Sequence, residues 1–319
     1  MDRAGRRVVT IEVVERGILT TIQDAFGRRS WRHAGVPVGG AADAWSARLA
    51  NRLVGNNDNA ALLELTLAGP TLRFTEPAVV ALVGEMTASI DGLPFPPGAA
   101  RAVRAGGLLR IGEGRDARAY LAIGGGLHVE PLLGSVATDL RSGFGGLDGR
   151  ALRAGDRLAA RASAGAPARW IGVRDDGPIR IVDGPHPSSA VPLTERPWRV
   201  GEEADRAGVR LDGPRIRGTD SEVPSMGLPL GAIQVPPDGR PIIMLADRPV
   251  TGGYPVPAVV IGADIGRVAR LRPGDELRFA SVSTETARSA LRRAEDELAA
   301  LEMLDAPVDD ELGWAGSHR

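Results

Sequence analysis

The chain has 319 residues and a formal net charge of −1, so it is long enough for two domains and carries no positive excess that would suit nucleic acid. It contains no cysteine, which excludes thiol catalysis, and no lysine, which excludes a Schiff-base lysine, a P-loop lysine and a lysine carrying covalent biotin. The four histidines are far apart and have no metal-binding spacing, so we predict no metal site.

The first residues contain arginines but no long apolar stretch behind them, which argues against a signal peptide. No stretch of the sequence approaches the apolar length of a membrane span. We therefore expect a soluble, cytoplasmic protein without a membrane partner.

Short apolar runs separated by glycine and proline recur along the whole chain and predict many short strands. In the first half these are Val8–Val14, Leu62–Leu67, Ala78–Val83, Leu108–Ile111 and Ala119–Ile123. In the second half they are Ile179–Val182, Ile242–Leu245, Ala258–Ile261 and Glu276–Val282. Many short strands with turns between them favour barrels or sandwiches.

Two helices are predicted from their apolar spacing. From Ala42 to Val54 the apolar residues recur every four positions, and Gly55 is placed to end the helix. From Glu285 to Leu304 a narrow apolar stripe follows spacings of four and three on a charged helix. This second helix could dock on its own subunit, dock on a partner, or form a short dimeric coiled coil.

A sequence echo supports two units: "LRAGDRL" at Leu152–Leu158 returns as "LRPGDEL" at Leu271–Leu277. Between them, Ala159–Arg169 has the small, flexible composition of a linker. We predict an N-terminal half over residues 1–165, a C-terminal half over 170–282 and a partly disordered helical tail over 283–319.

Polar residues concentrate in a few segments that lack a clear strand or helix pattern. Leu19–Asp43 holds Gln23, Asp24, Arg28, Arg32 and His33, which could belong to a functional loop, or its Gln and Asp could tie down the local backbone. Arg206 and Arg210 could clamp a carboxylate or phosphate, or pair with the acids of the preceding "GEEAD". These alternatives stay open on sequence grounds.

The stretch "DRPVTGGYP", Asp247–Pro255, lies between two predicted core strands and is far richer in polar residues and glycine than a hairpin requires. Gly252 and Gly253 permit close backbone approach, and Pro255 stiffens the exit. The pattern predicts a rigid loop that presents Thr251, Tyr254 and bare backbone.

Nine sequence motifs follow one another in a fixed order: "LTTIQD", "GVPVGGAAD", "RLANRLVGN", "LLELTLAGPTLRF", "YLAIGGGL", "GFGGLDGRALRAGDRL", "DRAGVRLDGP", "GAIQVPPDGRPIIMLADR" and "TGGYP". In these motifs the chain resembles the allophanate hydrolase subunit 2 family, also called the biotin-dependent carboxyltransferase family, from about Val8 to Phe279. This resemblance implies a mainly β fold of two cyclophilin-like β-barrel domains, with a few short helices and a C-terminal helix.

The resemblance also implies a hydrolase subunit that is inactive alone. It would act with a subunit 1 or B homologue, and with an A-type subunit, in an ATP- and Mg-dependent complex such as 5-oxoprolinase, which converts 5-oxoproline to glutamate. The first alternative is a carboxyltransferase half that uses carboxybiotin, carried by another chain, on a urea-like substrate. The second is a non-catalytic Kip-type antagonist that binds a subunit 1 homologue.

Matching the family motifs position by position gives the expected site. The resemblance implies catalytic roles for Asp247, Arg210 and Tyr254. It implies substrate binding by Arg206, Gly208, Gln234, Thr251, Gly252, Gly253, Gln23, Asp24 and Asp43. Asp247 could accept a proton or simply pair with Arg248.

Five apolar residues stand where polar ones are usual in the family: Val136, Ala137, Ala204, Val250 and Val256. Since these positions belong to the motifs that are expected to meet substrate, they raise the alternatives of a changed substrate or of binding without catalysis.

Overall fold

The computed structural model describes residues 8–161, 177–186, 193–216 and 223–300. The described residues form two compact units. The first comprises residues 8–27 and 44–161, and the second comprises residues 28–43 together with the described residues from 177 to 299. The predicted linker lies largely outside the described residues, as does the predicted tail from residue 301.

The first unit is built on one ten-stranded sheet and one helix, α1 at Ala44–Leu53. Its strands are β1 Val8–Glu15, β2 Leu19–Gln23, β3 Leu62–Ala68, β4 Thr71–Phe74, β5 Ala78–Val83, β6 Met86–Ile90, β7 Leu93–Pro94, β8 Ala100–Val103, β9 Leu108–Ile123 and β10 Arg157–Arg161. Alternate residues such as Val9, Ile11 and Val13 of β1 point into a single apolar core.

The longest strand, β9, joins what the sequence predicts as two strands, Leu108–Ile111 and Ala119–Ile123. Its first part pairs with β4 and β6, and its second part pairs with β3 and β5. At the change of partners a Cβ on Gly114 would lie 1.8 Å from the carbonyl oxygen of Glu85. Residues 112–118, which separate the two apolar runs, therefore belong to the same strand, because Gly114 lets β6 approach it closely.

Helix α1 agrees closely with its prediction. Leu49 and Leu53 are fully buried, while Trp45 at the start of the stripe is half-buried. Gly55 has a left-handed φ of 74° and donates its N–H to the carbonyl of Arg52 at 2.9 Å, as expected for a residue that ends a helix.

The second unit is built on an eight-stranded sheet and a small two-stranded ribbon. Its strands are β11 Ile179–Asp183, β12 Trp198–Val200, β13 Gly208–Asp212, β14 Met226–Gly227, β15 Ala232–Gln234, β16 Ile242–Met244, β17 Thr251–Gly252, β18 Ala258–Val260, β19 Glu276–Leu277 and β20 Phe279–Ser281. Its helical segments are the 3₁₀ turns Arg29–Ala34 and Gly262–Asp264, α2 Ile265–Arg270 and α3 Thr284–Ala299.

The sheet order of this unit is β19-β12-β13-β16-β15-β18-β11-β20. The edge strands β19 and β20 are separated in the chain by Arg278 alone. The sheet therefore curls into a nearly closed barrel. The prediction of a mainly β fold with two barrel halves, a few short helices and a C-terminal helix is confirmed, the first unit being a half-barrel.

The sequence echo has the same geometry in both units. Gly155 and Gly274 have φ values of 88° and 90°, and they donate to the carbonyls of Val13 and Val200 at 2.7 and 2.8 Å. In each turn the following aspartate, Asp156 or Asp275, accepts a backbone N–H from the arginine three residues before it, at 2.7 and 2.8 Å. The two repeated motifs therefore make the same turn into β10 and β19.

Helix α3 packs against β11 and the Gly262–Asp264 turn of its own unit. Ser283 accepts the N–H of Thr286 at its start, and Ala290 and Leu298 are buried. Docking on its own unit, one of the three predicted alternatives, is what the structure shows for the described part of this helix. Within the residues that the structure describes, no helix is long and apolar enough to span a membrane.

Candidate functional site

The candidate site lies on the outer face of the barrel in the second unit. The inner face of the sheet holds the main core, which includes Val209, Ile233 and Ile243. The outer face carries a smaller apolar cluster of Leu228, Ala232, Met244 and Val256. Gly208, Arg210 and Gln234 lie on this outer face, because they alternate with the inner residues along β13 and β15.

The Asp247–Pro255 stretch folds as a short ribbon over this outer face. Its β17 pairs with β14, and the N–H of Leu228 donates to the carbonyl of Val250 at 3.0 Å. Thr251 and Tyr254 are exposed, Tyr254 to 45%. The structure thus places Thr251 and Tyr254 at the surface and Gly252 against the sheet.

Arg206 and Asp247 form a two-pronged ion pair just before the start of β13. Arg206 Nε and Nη2 donate to the two Asp247 oxygens at 2.8 and 2.9 Å, and Nη2 also donates to the Gly40 carbonyl at 2.6 Å. The Arg206 side chain is 7% exposed and that of Asp247 is 18% exposed. The partner of Asp247 is therefore Arg206 and not the neighbouring Arg248.

Arg210 is also paired with acids. Its Nε lies 2.8 Å from a Glu203 oxygen, and its Nη1 lies 3.1 Å from an Asp238 oxygen. Pairing with the "GEEAD" segment is the second of the two alternatives that the sequence left open, and it is the one observed for Arg210. Since both Arg206 and Arg210 have acidic partners, less of their charge is available to an anion, and their role in binding stays a prediction.

Gly252 allows the ribbon to lie directly on Gln234. A Cβ on Gly252 would lie 2.6 Å from Gln234 Nε2 and 2.8 Å from Leu228 Cδ1. Gln234 is 4% exposed, and its Nε2 has no hydrogen-bond acceptor among the residues that the structure describes. A buried amide without an acceptor is costly unless a ligand or water supplies one, so Gln234 is a strong candidate for ligand contact.

A Gly252→Ala variant is expected to lower the free energy of unfolding by about 1–3 kcal/mol, because the added methyl must displace a buried side chain. Gly253→Ala is the matched control, since the nearest atom to its Cβ would be 3.4 Å away, an ordinary contact. Thermal unfolding of both variants measures the effect. Equal melting temperatures would show that the ribbon is not seated on Gln234.

Two further arginines, which the sequence had not placed in the site, lie beneath the ribbon. Arg248 is 8% exposed and donates to the carbonyls of Leu228 and Leu245 at 2.9 and 3.1 Å. Arg32, from the Arg29–Ala34 turn, donates to the Leu228 carbonyl at 2.6 Å. The apolar run before Arg248 could have indicated from the sequence that this arginine is buried, since an arginine that closely follows a buried strand has little access to water.

The remaining predicted residues have structural partners. Gln23 and Asp24 belong to the first unit: Asp24 accepts from Gly27 N, Ser135 Oγ and Val136 N, and Gln23 donates to Thr21 and to the Thr138 carbonyl. Asp43 belongs to the second unit, is 2% exposed, and has an oxygen 3.6 Å from Arg270 Nε. A Cβ on Gly266 would lie 2.3 Å from Asp43 Oδ1, so the carboxylate is seated on the backbone of α2.

The family-atypical apolar residues lie mainly in packed positions. Ala137 and Val256 are fully buried, Val256 in the outer-face cluster. Val136 and Ala204 are half-buried and pack against the cores of their respective units. Val250 is half-buried, and its carbonyl accepts the N–H of Leu228. The lost polar groups are thus mostly replaced by packing contacts.

Most of the chain, including the whole Asp247–Pro255 ribbon, falls within the match to a known protein class. Residues 34–281 match the family described as carboxyltransferase domain, subdomain A and B, and the chain belongs to this family.

Similar proteins come from two groups. The chain is 36% identical over 291 residues to the C subunit of 5-oxoprolinase from Escherichia coli K12, covering 88% of this chain and 94% of that protein. It is 34% identical to urea amidolyase of Lachancea kluyveri, covering 96% of this chain but only 18% of that protein. The crystal structure of Kluyveromyces lactis urea amidolyase superposes with a TM-score of 0.84 at 31% identity, covering 94% of this chain and 20% of that one.

Proposed function

We propose that this chain is the C-type subunit of an ATP-dependent hydrolase that opens the lactam of 5-oxoproline to give glutamate. The supporting observation is the match at 36% identity across 94% of the E. coli 5-oxoprolinase C subunit. A match that extends over nearly the whole of both chains favours the same role in a complex. The chain would act with a subunit 1 or B homologue and an A-type homologue, in the cytoplasm.

ATP and its Mg²⁺ are assigned to the complex and not to this chain. Among the residues that the structure describes, no group of three acidic, histidine or cysteine side chains could hold a metal ion. The sequence also lacks the lysine of a P-loop. We assign this chain the binding of the small substrate, through the outer face of the second unit.

Within that face, the residues divide by role. The Arg206–Asp247 pair fixes the start of β13 against the ribbon, which is a positioning role. Thr251 and Tyr254 are exposed on the ribbon, where substrate or partner can contact them. Gln234 supplies a buried amide donor beneath it. This division favours substrate orientation by the ribbon, with the reactive phosphoryl chemistry supplied elsewhere in the complex.

The experiment is co-expression with a subunit 1 homologue and an A-type homologue, followed by ATP hydrolysis with and without 5-oxoproline. We expect the complex to form, ATP hydrolysis to rise when 5-oxoproline is added, and glutamate to appear. A well-folded complex with no 5-oxoproline-dependent turnover would contradict the proposal, and would favour a Kip-type binding role.

A second candidate is a carboxyltransferase half that moves a carboxyl group from carboxybiotin to a urea-like substrate. It is favoured by the match of 96% of this chain to urea amidolyase of L. kluyveri. Biotin would arrive on another chain, because this one has no lysine to carry it. Carboxylation of urea by the chain in the presence of a carboxybiotin carrier tests this role, and its absence together with 5-oxoproline turnover would exclude it.

A further inference from the structure

The arginines Arg32 and Arg248 converge on a single backbone oxygen. Arg32 Nη2 and Arg248 Nε both donate to the Leu228 carbonyl, at 2.6 and 2.9 Å. Their other hydrogen-bond acceptors are the carbonyls of Val250 and Leu245. Over the described ranges, neither guanidinium has a carboxylate within 4.0 Å. Two positive charges therefore share one site with only neutral acceptors.

This arrangement contrasts with other arginines of the same unit. Arg206 is neutralised by Asp247, Arg210 by Glu203 and Asp238, and Arg180 by Asp264. Arg248 is buried, at 8% exposure, yet both of its acceptors are carbonyls. Buried charges in proteins are ordinarily paired, so a buried guanidinium without an acid points to an anion that comes from outside the chain.

The electrostatics of the two arginines also favour a bound anion. Burial and the nearby charge of Arg32 lower the pKa of Arg248 to about 10. Arg248 is still positive at neutral pH, so the site holds two like charges in a region of restricted hydration. An oxyanion placed between them would relieve both the repulsion and the missing solvation.

The site also has more donors than acceptors. A guanidinium has five N–H groups, and Arg248 uses two of its nitrogens on the described residues. The buried Gln234 Nε2, which has no acceptor among the described residues, lies against Gly252 beside Leu228. A carboxylate or phosphate group has several acceptor lone pairs in a small volume and would satisfy these donors together.

The site is reachable from the surface. Arg32 is half-buried, and a Cβ on the exposed Gly227 would lie 3.5 Å from Arg32 Nη2. Thr251 and Tyr254 of the ribbon are exposed. Arg32 is therefore the more accessible of the two arginines, and Arg248 and Gln234 are more deeply buried.

We propose that Arg32 and Arg248 bind the oxyanion of a small-molecule ligand, with Gln234 Nε2 donating to the same ligand. The identity of the ligand as 5-oxoproline, which carries one carboxylate, rests on the proposed function, whereas the oxyanion site does not. Arg206 and Arg210, which are paired with acids, then have a supporting role. The positive charge that recognises the ligand comes from Arg32 and Arg248.

The test is isothermal titration of the full chain with 5-oxoproline, its uncharged amide and inorganic phosphate, which separates a carboxylate ligand from a phosphoryl one. The variants are Arg32→Gln and Arg248→Gln, with Arg288→Gln on the exposed face of α3 as the matched control for loss of one charge. We expect the wild type and the control variant to bind the same one of the two anions, with equal affinity. If the carboxylate is the recognised group, the amide binds more weakly than 5-oxoproline.

Each site variant should weaken binding of that anion about tenfold to a hundredfold, as expected for loss of a charge-assisted hydrogen bond. If Arg248→Gln fails to fold, Arg32→Gln carries the test, since Arg32 is only half-buried and circular dichroism reports its folding. Binding of neither anion by the wild type, or unchanged binding in a folded Arg32→Gln variant, would overturn the site.

The titration needs neither ATP nor a partner, so its result is independent of the proposed hydrolase activity. Anion binding that depends on Arg32, in a chain whose complex shows no turnover, supports the site and overturns only the function. Turnover with unchanged anion binding in Arg32→Gln overturns only the site.

Discussion

An Asp247→Asn variant is expected to lose about 3 kcal/mol of unfolding free energy, because it leaves the buried Arg206 without its counter-charge. The two oxygens of Asp247 accept from Arg206 at 2.8 and 2.9 Å, and the Arg206 side chain is 7% exposed. For a unit of this size the loss corresponds to a fall in melting temperature of about 6–12 °C. Thermal unfolding followed by circular dichroism measures it.

The matched control is Asp238→Asn, which removes a 44% exposed acid from Arg210 and should cost about 0.5 kcal/mol or less. A double-mutant cycle with Arg206→Gln should show strong coupling, because the second change costs little once the pair is broken. Unchanged stability of Asp247→Asn, together with lost turnover of the complex, would instead assign Asp247 to proton transfer.

Replacing Asp24 with Ala in the first unit is expected to cost about 3–5 kcal/mol, since it leaves three donors without their charged acceptor. Gly27 N, Ser135 Oγ and Val136 N donate to Asp24 at 2.7, 2.6 and 2.9 Å, and Asp24 is 1% exposed. The carboxylate therefore ties the end of β2 to the segment that contains Ser135. Chemical denaturation of the full chain measures the loss.

Asp58→Ala provides the comparison in the same unit. Asp58 also pairs with arginines, Arg48 and Arg52, but its side chain is 25% exposed, so we expect a loss of about 1 kcal/mol. If Asp24→Ala were as stable as the wild type yet bound ligand poorly, the tying role described above would be wrong and Asp24 would belong to a binding site.

The polar residues of the second unit differ in whether the fold supplies them with a partner. The arginines and aspartates that stand out in the sequence motifs, Arg206, Arg210 and Asp247, form ion pairs among the elements of the second unit. Arg32 and Arg248 have no carboxylate partner in the described chain, and the amide nitrogen of Gln234 has no hydrogen-bond acceptor there. A ligand gains most binding free energy from polar groups that the fold leaves without a partner.

Much of the architecture could be read from local patterns. The alternating residues of β1 and β3, the four-residue spacing of α1 and the repeated glycine–aspartate turns depend on neighbours a few positions away. Local chemistry determines such features, and the structure has them where they were expected. The shortest strands, including β14 and β17 with two residues each, were missed because two residues carry no periodic signal.

The amino-acid sequence by itself determined the family, the mainly β fold and the segments in which polar residues gather. The tertiary structure alone decided which charges are neutralised. Arg206 finds Asp247 across 41 positions, and Arg32 meets the Leu228 carbonyl across 196. The physical reason is that a charge is compensated by whatever the fold brings within a few ångströms of it, and sequence distance places no limit on that approach.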